Sequence, residues 1–155
     1  MHNLTTREVE KAAGLVAMKI KANAHKAVVS GARTQEDADR EQGKWLTALD
    51  KAETYIKRSC IDSSNITVWW PLEDRHHFGF ESAKRNTPYT TSVDTCECEA
   101  FKHGTPCWHR AGVAVLHCCD TQRHEAGERP AWGIRRPISP AEFAAAAEEM
   151  FGPAV

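Results

Sequence analysis

The sequence is most informative at first through what it lacks. It has no internal repeat, no glycine-rich phosphate loop and no low-complexity tract, which argues against a repeat protein and a P-loop nucleotide-binding protein. No stretch approaches the roughly 20 apolar residues of a membrane-spanning helix. The first twenty residues include Arg7, Glu8, Glu10 and Lys11 without an apolar run, unlike a secretory signal. We therefore expect no membrane association and a cytoplasmic location, or a nuclear one in a eukaryote.

A strong excess of charge of either sign is also missing. The net charge of the 155 residues is −1; residues 1–60 hold 11 Lys and Arg against 8 Asp and Glu, and residues 61–125 hold 6 against 9. The clear basic stripe typical of strong nonspecific nucleic-acid binders is therefore absent. With 41% hydrophobic and 26% charged residues, the chain has the composition of a folded protein. Its length suits one ordinary domain, or a small metal module with a helical companion.

Four residues in the second half of the chain form a typical set of metal ligands. Cys96 and Cys98 flank a single residue, and Cys107 and His109 follow after a spacer of eight. Three thiolates and one imidazole complete a tetrahedral set for zinc, with Zn–S distances of about 2.3 Å. The alternative is a group of ordinary buried cysteines beside a surface histidine. The spacing favours one structural zinc ion.

The residues before Cys107 predict a helix start beside these ligands. In Gly104-Thr105-Pro106, Thr105 is suited to the N-cap and Pro106 to the first helical position. Cys107 and His109 would then lie in the first turn. A thiolate there is stabilised by the helix dipole and by free backbone N–H groups.

Cys-x-Cys followed after eight residues by Cys-x-His resembles the SWIM zinc finger, a small strand-strand-helix module. The resemblance covers roughly residues 66–119 and includes Pro106 before the third ligand. It implies a metal-binding module associated with DNA binding and with protein–protein contacts. Family members commonly have a basic residue between the last two ligands, whereas this chain has Trp108.

The ligand set also bears on catalysis and on the other cysteines. Four protein ligands close a zinc site, whereas a catalytic zinc keeps a position open, so we expect no enzyme. Cys107 and His109 could form a nucleophile–base pair on paper, but a metal-bound thiolate is not free to attack. Without an export signal, the remaining Cys60, Cys118 and Cys119 are expected to be reduced thiols.

The N-terminal third predicts two antiparallel helices. Thr5 and Glu8 form a capping-box pattern, Gly31 suits a left-handed helix end, and Thr34 caps the second helix. One apolar stripe follows each cap: Val9, Ala13, Val16, Ile20, Ala24 and Ala27, then Ala38, Trp45, Leu49, Ala52 and Ile56. A hairpin of two helices cannot enclose a core alone, so a protein partner or self-association through these helices is expected. A further face of the second helix carries Lys44, Lys51 and Arg58. These cations suit either contact with phosphates or a solvated face, and the solvated face is favoured.

From residue 65 the period changes to that of strands. Alternation in 66–70, 78–80 and 89–93, with turns at 71–75 and 84–88, predicts a three-stranded antiparallel sheet. The aromatic residues there suit either base stacking or packing of a small module, and packing is favoured. They are Trp69, Trp70, Phe78, Phe80, Tyr89 and Phe101.

The later residues predict two further helices. One follows Pro106, with Val113, Leu116 and Cys118 or Cys119 inward and His117 at the surface, and the last starts at Ser139. The fold class is thus α+β: an N-terminal helical hairpin, a small antiparallel sheet plus helix zinc-finger module, and a C-terminal helix. The predicted regions are a hairpin in 1–62, the SWIM-like module in 63–127, and a loop and docking helix in 128–155.

The sequence leaves two functions open. The first is a structural-zinc module associated with DNA or another nucleic acid and acting with a protein partner. Its candidate nucleic-acid contacts are the cations near the finger, Lys84, Arg85, Lys102 and Arg110. The alternative is a protein–protein interaction adaptor without direct nucleic-acid binding, which the neutral charge and the helical hairpin favour.

Overall fold

Two long helices open the chain of the computed structural model, which describes residues 4–61, 69–72, 77–81 and 87–128. Helix α1 spans Thr6–Val29 and begins with the predicted capping box between Thr5 and Glu8. It ends before Gly31, whose φ of +73° is the left-handed conformation that glycine adopts without strain. Helix α2 spans Gln35–Ile61, and the Thr34 hydroxyl accepts a hydrogen bond from the backbone N–H of Asp37 at 3.1 Å. The predicted helix starts are confirmed.

The two helices are antiparallel, as predicted. Lys57, near the end of α2, forms an ion pair with Glu10, near the start of α1, at 2.5 Å. The predicted stripe of α2 is buried throughout, and that of α1 is buried except for the half-buried Ala24. Apart from Ala24, Ala27 and Ala38, both stripes belong to one apolar cluster that also includes residues of the last described helix. The hairpin therefore packs its apolar side within the chain.

A three-stranded antiparallel sheet follows, in the order β1-β2-β3. The strands are β1 (Trp69–Pro71), β2 (Phe78–Phe80) and β3 (Tyr89–Thr91), with Phe80 opposite both Trp69 and Tyr89. Pro71 pairs with Phe78, so the prediction that it begins a turn is wrong. Proline is tolerated there because β1 is an edge strand.

Two helices complete the described chain: α3 (Glu99–Lys102) and α4 (Trp108–Glu125). The N-cap of α4 is Cys107. The predictions that Thr105 is the cap, that Pro106 is the first helical residue and that Cys107 lies in the first turn are therefore wrong. Gly104 and Thr105 instead close α3: their N–H groups bond to the carbonyls of Phe101 and Ala100, both at 2.9 Å. These two hydrogen bonds, together with the φ of +67° at Gly104, define a Schellman motif at the end of α3. Helix α4 starts after this motif.

Helix α4 lies at the centre of the fold. Every residue from Ala111 to Asp120 is buried, since α1, α2 and the sheet surround it. Val113, Leu116, Cys118 and Cys119 are buried as predicted, whereas the surface position predicted for His117 is wrong. Its ring lies edge-on to Phe78, with centroids 5.3 Å apart.

The α+β fold class is confirmed for the described part of the chain. The helix predicted from Ser139, with the region 128–155 that holds it, lies almost wholly outside the described residues. The division into regions 1–62, 63–127 and 128–155 stays a prediction. Within the described ranges, no helix has the length and apolarity needed to cross a membrane.

Candidate metal centre

Three local structures converge on the four predicted ligands. Cys96 forms an isolated antiparallel bridge with Thr91 at the end of β3. Cys98 is the N-cap of α3, Cys107 is the N-cap of α4, and His109 follows in the first turn of α4. Neither cysteine cap uses its side chain to cap the helix, so both thiols are directed elsewhere.

The distances between the four side chains suit a tetrahedral metal ion. All four ligand atoms lie within 4.8 Å of one another, and all four residues are buried. The Cys96 Sγ and the His109 Nδ1 are 3.6 Å apart. Bond lengths to zinc of about 2.3 and 2.0 Å at tetrahedral angles require about 3.8 Å between two sulfurs and about 3.5 Å between sulfur and nitrogen. These residues could therefore hold one metal ion after small shifts of the side chains.

The electrostatics of the cluster favour a cation at its centre. Hydrogen bonds from the thiols of Cys107 and Cys96 lower the pKa of Cys98, so this sulfur is the first to ionise. The pKa of Cys107 is raised by its contacts with Cys96 and Cys98 and by burial, because a second negative sulfur is unfavourable beside the first. A bound cation would replace the shared protons and allow all three sulfurs to ionise.

The surroundings of the cluster hold its members in place. The Thr91 hydroxyl lies 3.3 Å from the Cys96 sulfur, a contact that can orient a metal ligand from outside. The ring of His109 contacts Tyr89 and Phe80, with centroids 5.0 and 5.4 Å apart. Together with Tyr89, the three cysteines form a small core of their own, against which Ala100 and Phe101 pack. Sequence spacing gave no signal for this aromatic enclosure, because the rings come from separate strands.

The candidate nucleic-acid contacts, unlike the candidate metal ligands, are not clustered among the described residues. The Arg110 side chain is half-buried, donates to the Val93 carbonyl at 2.8 Å and lies over the Trp45 and Phe101 rings. Lys102 is exposed and pairs with Glu99 at 3.0 Å. Lys84 and Arg85 lie outside the described residues. The described residues therefore do not form a common cationic surface from these four side chains.

Most of the sheet aromatics serve packing. Trp69, Phe78, Phe80 and Tyr89 are buried, so their rings are not open to a stacked base. Phe101 is half-buried against the metal-site core, and the side chain of Trp70 is outside the described set. The packing interpretation of the sequence agrees with these positions.

The three cysteines outside the cluster have free thiols in the structure. Cys118 and Cys119 are buried in α4 and Cys60 is half-buried at the end of α2. Burial raises the pKa of each thiol, which keeps it protonated near neutral pH. These residues behave as small apolar side chains of the main core.

Comparison of the chain with protein-family models, curated protein sequences and solved structures finds no match. The features that characterise the chain are therefore its α+β fold and its buried Cys₃His cluster, a ligand set that zinc-finger modules also use.

Proposed function

We propose that the chain is a structural-zinc protein, in which Cys96, Cys98, Cys107 and His109 hold one Zn²⁺. The observation that carries this proposal is the burial of four ligand atoms within 4.8 Å of one another. A bound zinc ion would cross-link the end of β3 to the starts of α3 and α4. The four ligands leave no open coordination position, so the proposed role is structural and not catalytic.

The proposal extends to an association with nucleic acid. Its support is the resemblance of the Cys-x-Cys and Cys-x-His pattern to the SWIM finger. The cations assigned from sequence give it little support, since Arg110 is engaged within the chain and Lys102 pairs with Glu99. A cationic surface elsewhere has to provide the contacts.

A protein contact through the N-terminal helices is the second part of the proposal, and a second copy of the chain is the partner we favour. Leu15 and Met18 of α1 are 39% and 66% exposed, and they border a groove of about 400 Å³ between α1 and α4. A protruding Met18 beside an apolar groove on the same face is self-complementary, as a two-fold symmetric dimer requires.

Native mass spectrometry tests metal and assembly in one measurement. We expect one zinc per chain in the wild type, lost in Cys98→Ser and kept in the control Cys60→Ser, which also removes a thiol but lies outside the cluster. A dimer that Met18→Glu converts to monomer would support self-association. Wild-type protein without zinc, or a Cys98→Ser variant with full zinc content, would overturn the metal site; a wild-type monomer would remove the dimer only.

A further inference from the structure

One face of α2 carries cations at a regular interval. Lys44, Lys51 and Arg58 follow one another at steps of seven residues, which places them within about 40° of one line along the helix. All three are exposed, and the line from Lys44 to Arg58 is about 21 Å long. The sequence alone favours a solvated face here, because such stripes are common.

The structure adds two aromatic rings to this cationic face. Tyr55 of α2 stacks on Trp108 of α4, with centroids 4.8 Å apart and planes inclined by 19°. Both side chains are half-buried, unlike the sheet aromatics that are enclosed in the core. The rings therefore form a partly exposed stack beside the line of cations.

Two of the cations lie against this stack. The Lys51 ammonium is 5.9 Å from the Tyr55 ring centre and 5.8 Å from that of Trp108, and the Arg58 guanidinium is 5.6 Å from Tyr55. Within the described part of the chain, no carboxylate forms an ion pair with Lys51 or Arg58, whereas Lys44 has Glu41 at 3.9 Å. Among the described residues, the positive charge beside the rings therefore has no carboxylate partner.

The candidate metal cluster adjoins one of these rings. Trp108 stands between the ligands Cys107 and His109, and its ring contacts the His109 ring with centroids 4.1 Å apart. A metal ion bound by Cys107 and His109 would fix the first turn of α4, and the ring would then be presented to α2 in one position. A ring held in place in this way loses little entropy when a ligand stacks on it.

We propose that this face, formed by Lys44, Lys51, Tyr55, Arg58 and Trp108, binds single-stranded nucleic acid. Phosphates would contact the three cations, and a base would lie against the exposed part of the Tyr55 and Trp108 rings. Nonspecific single-strand binders combine these two elements, a cationic track for the backbone and aromatic rings for the bases. The inference rests on the proposed nucleic-acid association and assigns it to α2 and Trp108 in place of the finger cations.

Fluorescence anisotropy with labelled oligo-dT, oligo-U and a DNA duplex of equal length, at low and moderate salt, tests the assignment. We expect the zinc-loaded wild type to bind the single strands more tightly than the duplex. Lys51→Ala with Arg58→Ala should lower the log–log salt slope by about 1.4, since each lost phosphate contact on a single strand removes about 0.7. Trp108→Leu should weaken binding by about 5-fold to 100-fold.

A matched pair of substitutions controls for simple loss of charge. Lys11→Ala with Lys21→Ala removes two exposed cations from α1, away from the aromatic stack, and should leave affinity within about two-fold. Zinc content and circular dichroism of each variant establish that it folds. A second comparison, Lys84→Ala with Arg85→Ala, tests the cations near the finger.

The outcomes separate the two levels of the inference. Equal losses of affinity in the double variant of α1 and the double variant of α2 would overturn the α2 face while nucleic-acid association stands. A loss of affinity only in Lys84→Ala with Arg85→Ala would do the same. Tighter binding to the duplex would overturn the single-strand assignment alone. Absence of binding to all three probes at low salt would overturn both. Comparable affinity for oligo-dT and oligo-U supports recognition of backbone and base, whereas a strong preference for one identifies that nucleic acid as the ligand.

Discussion

A single carboxylate, that of Glu8, connects the first and last described helices. Its Oε2 accepts hydrogen bonds from the backbone N–H and the hydroxyl of Thr5, both at 2.7 Å, which completes the capping box of α1. The same carboxylate accepts bonds from Arg123, in the last turn of α4, at 2.5 and 3.0 Å. The group that caps α1 therefore also attaches α4 to it.

This double role predicts a defined pH dependence. The hydrogen bond from Arg123, with a smaller contribution from Thr5, lowers the pKa of Glu8 from 4.5 to about 2. The folded state holds this proton less tightly than the unfolded chain, so the stabilisation is complete above about pH 4.5 and is lost as the pH falls through about 2. Because the carboxylate is partly exposed, solvent weakens this stabilisation, and we expect it to contribute about 1 to 2 kcal/mol to the free energy of unfolding.

The variant Glu8→Gln isolates the charge, because glutamine can still complete a capping box. Urea unfolding at pH 6 should show that the free energy of unfolding of the variant is lower than that of the wild type by about 1 to 2 kcal/mol. At pH 3 this difference should narrow by more than half. Any metal held by the cysteines is lost from both proteins in acid, so the difference between them reports on Glu8. A gap that stays constant with pH would contradict the ion pair, as would a full additional loss when Arg123→Gln is combined with Glu8→Gln.

At the scale of elements, two helical glycines differ in what surrounds them. A Cβ placed on Gly112 of α4 would lie 3.3 Å from the Phe80 ring and 3.7 Å from the Ile56 Cδ1, so this glycine allows the close approach of α4 to the sheet and α2. A Cβ placed on Gly14 of α1 would meet no atom within 4 Å. Close packing therefore explains a glycine at position 112 but not at position 14.

Substitution at the two positions should therefore have opposite effects. Gly14→Ala should stabilise the protein by about 0.5 to 1 kcal/mol, since alanine restricts the unfolded chain and favours the helix. Gly112→Val should destabilise it by about 1 to 3 kcal/mol, because the added methyl groups overfill the contact with Phe80. Thermal unfolding of the zinc-loaded proteins measures both, and a gain at both positions would show that α4 does not pack closely on the sheet.

The same elements show how far the sequence could predict the structure. The caps at Thr5 and Thr34 and the apolar stripes depend on residues three or four positions apart, so they were predictable. The clustering of Cys96, Cys98, Cys107 and His109 was predictable because few side chains suit a metal ion and all four occur within 14 residues. The start of α4 was not, because Gly104 and Thr105 suit the end of one helix as well as the start of another. The burial of His117 depends on the sheet that covers α4, for which local sequence gives no signal.

At the scale of the whole molecule, two cores of different chemistry meet at α4. The larger core is apolar and joins α1, α2, the sheet and α4. The smaller one consists of Tyr89 and the three cluster cysteines, packed by Ala100 and Phe101. So few apolar side chains bury too little surface to offset the entropy of ordering the chain. We therefore expect the smaller core to depend on a metal ion bound by the cluster. The larger core contains many more apolar side chains, and we expect it to stay folded without the metal.

Removal of the metal should therefore unfold one part of the molecule before the other. We expect a chelator at neutral pH to abolish hydrogen-exchange protection in residues 95–107 while amides of residues 9–27 and 45–56 stay protected, since the apolar core of α1 and α2 is intact. Circular dichroism should retain most of its helical signal. Zinc added back should restore protection, and Cys60→Ser should behave as the wild type. Complete loss of helical signal would show that the two cores unfold as one unit, and unchanged exchange in residues 95–107 would show that the metal does not hold this region together.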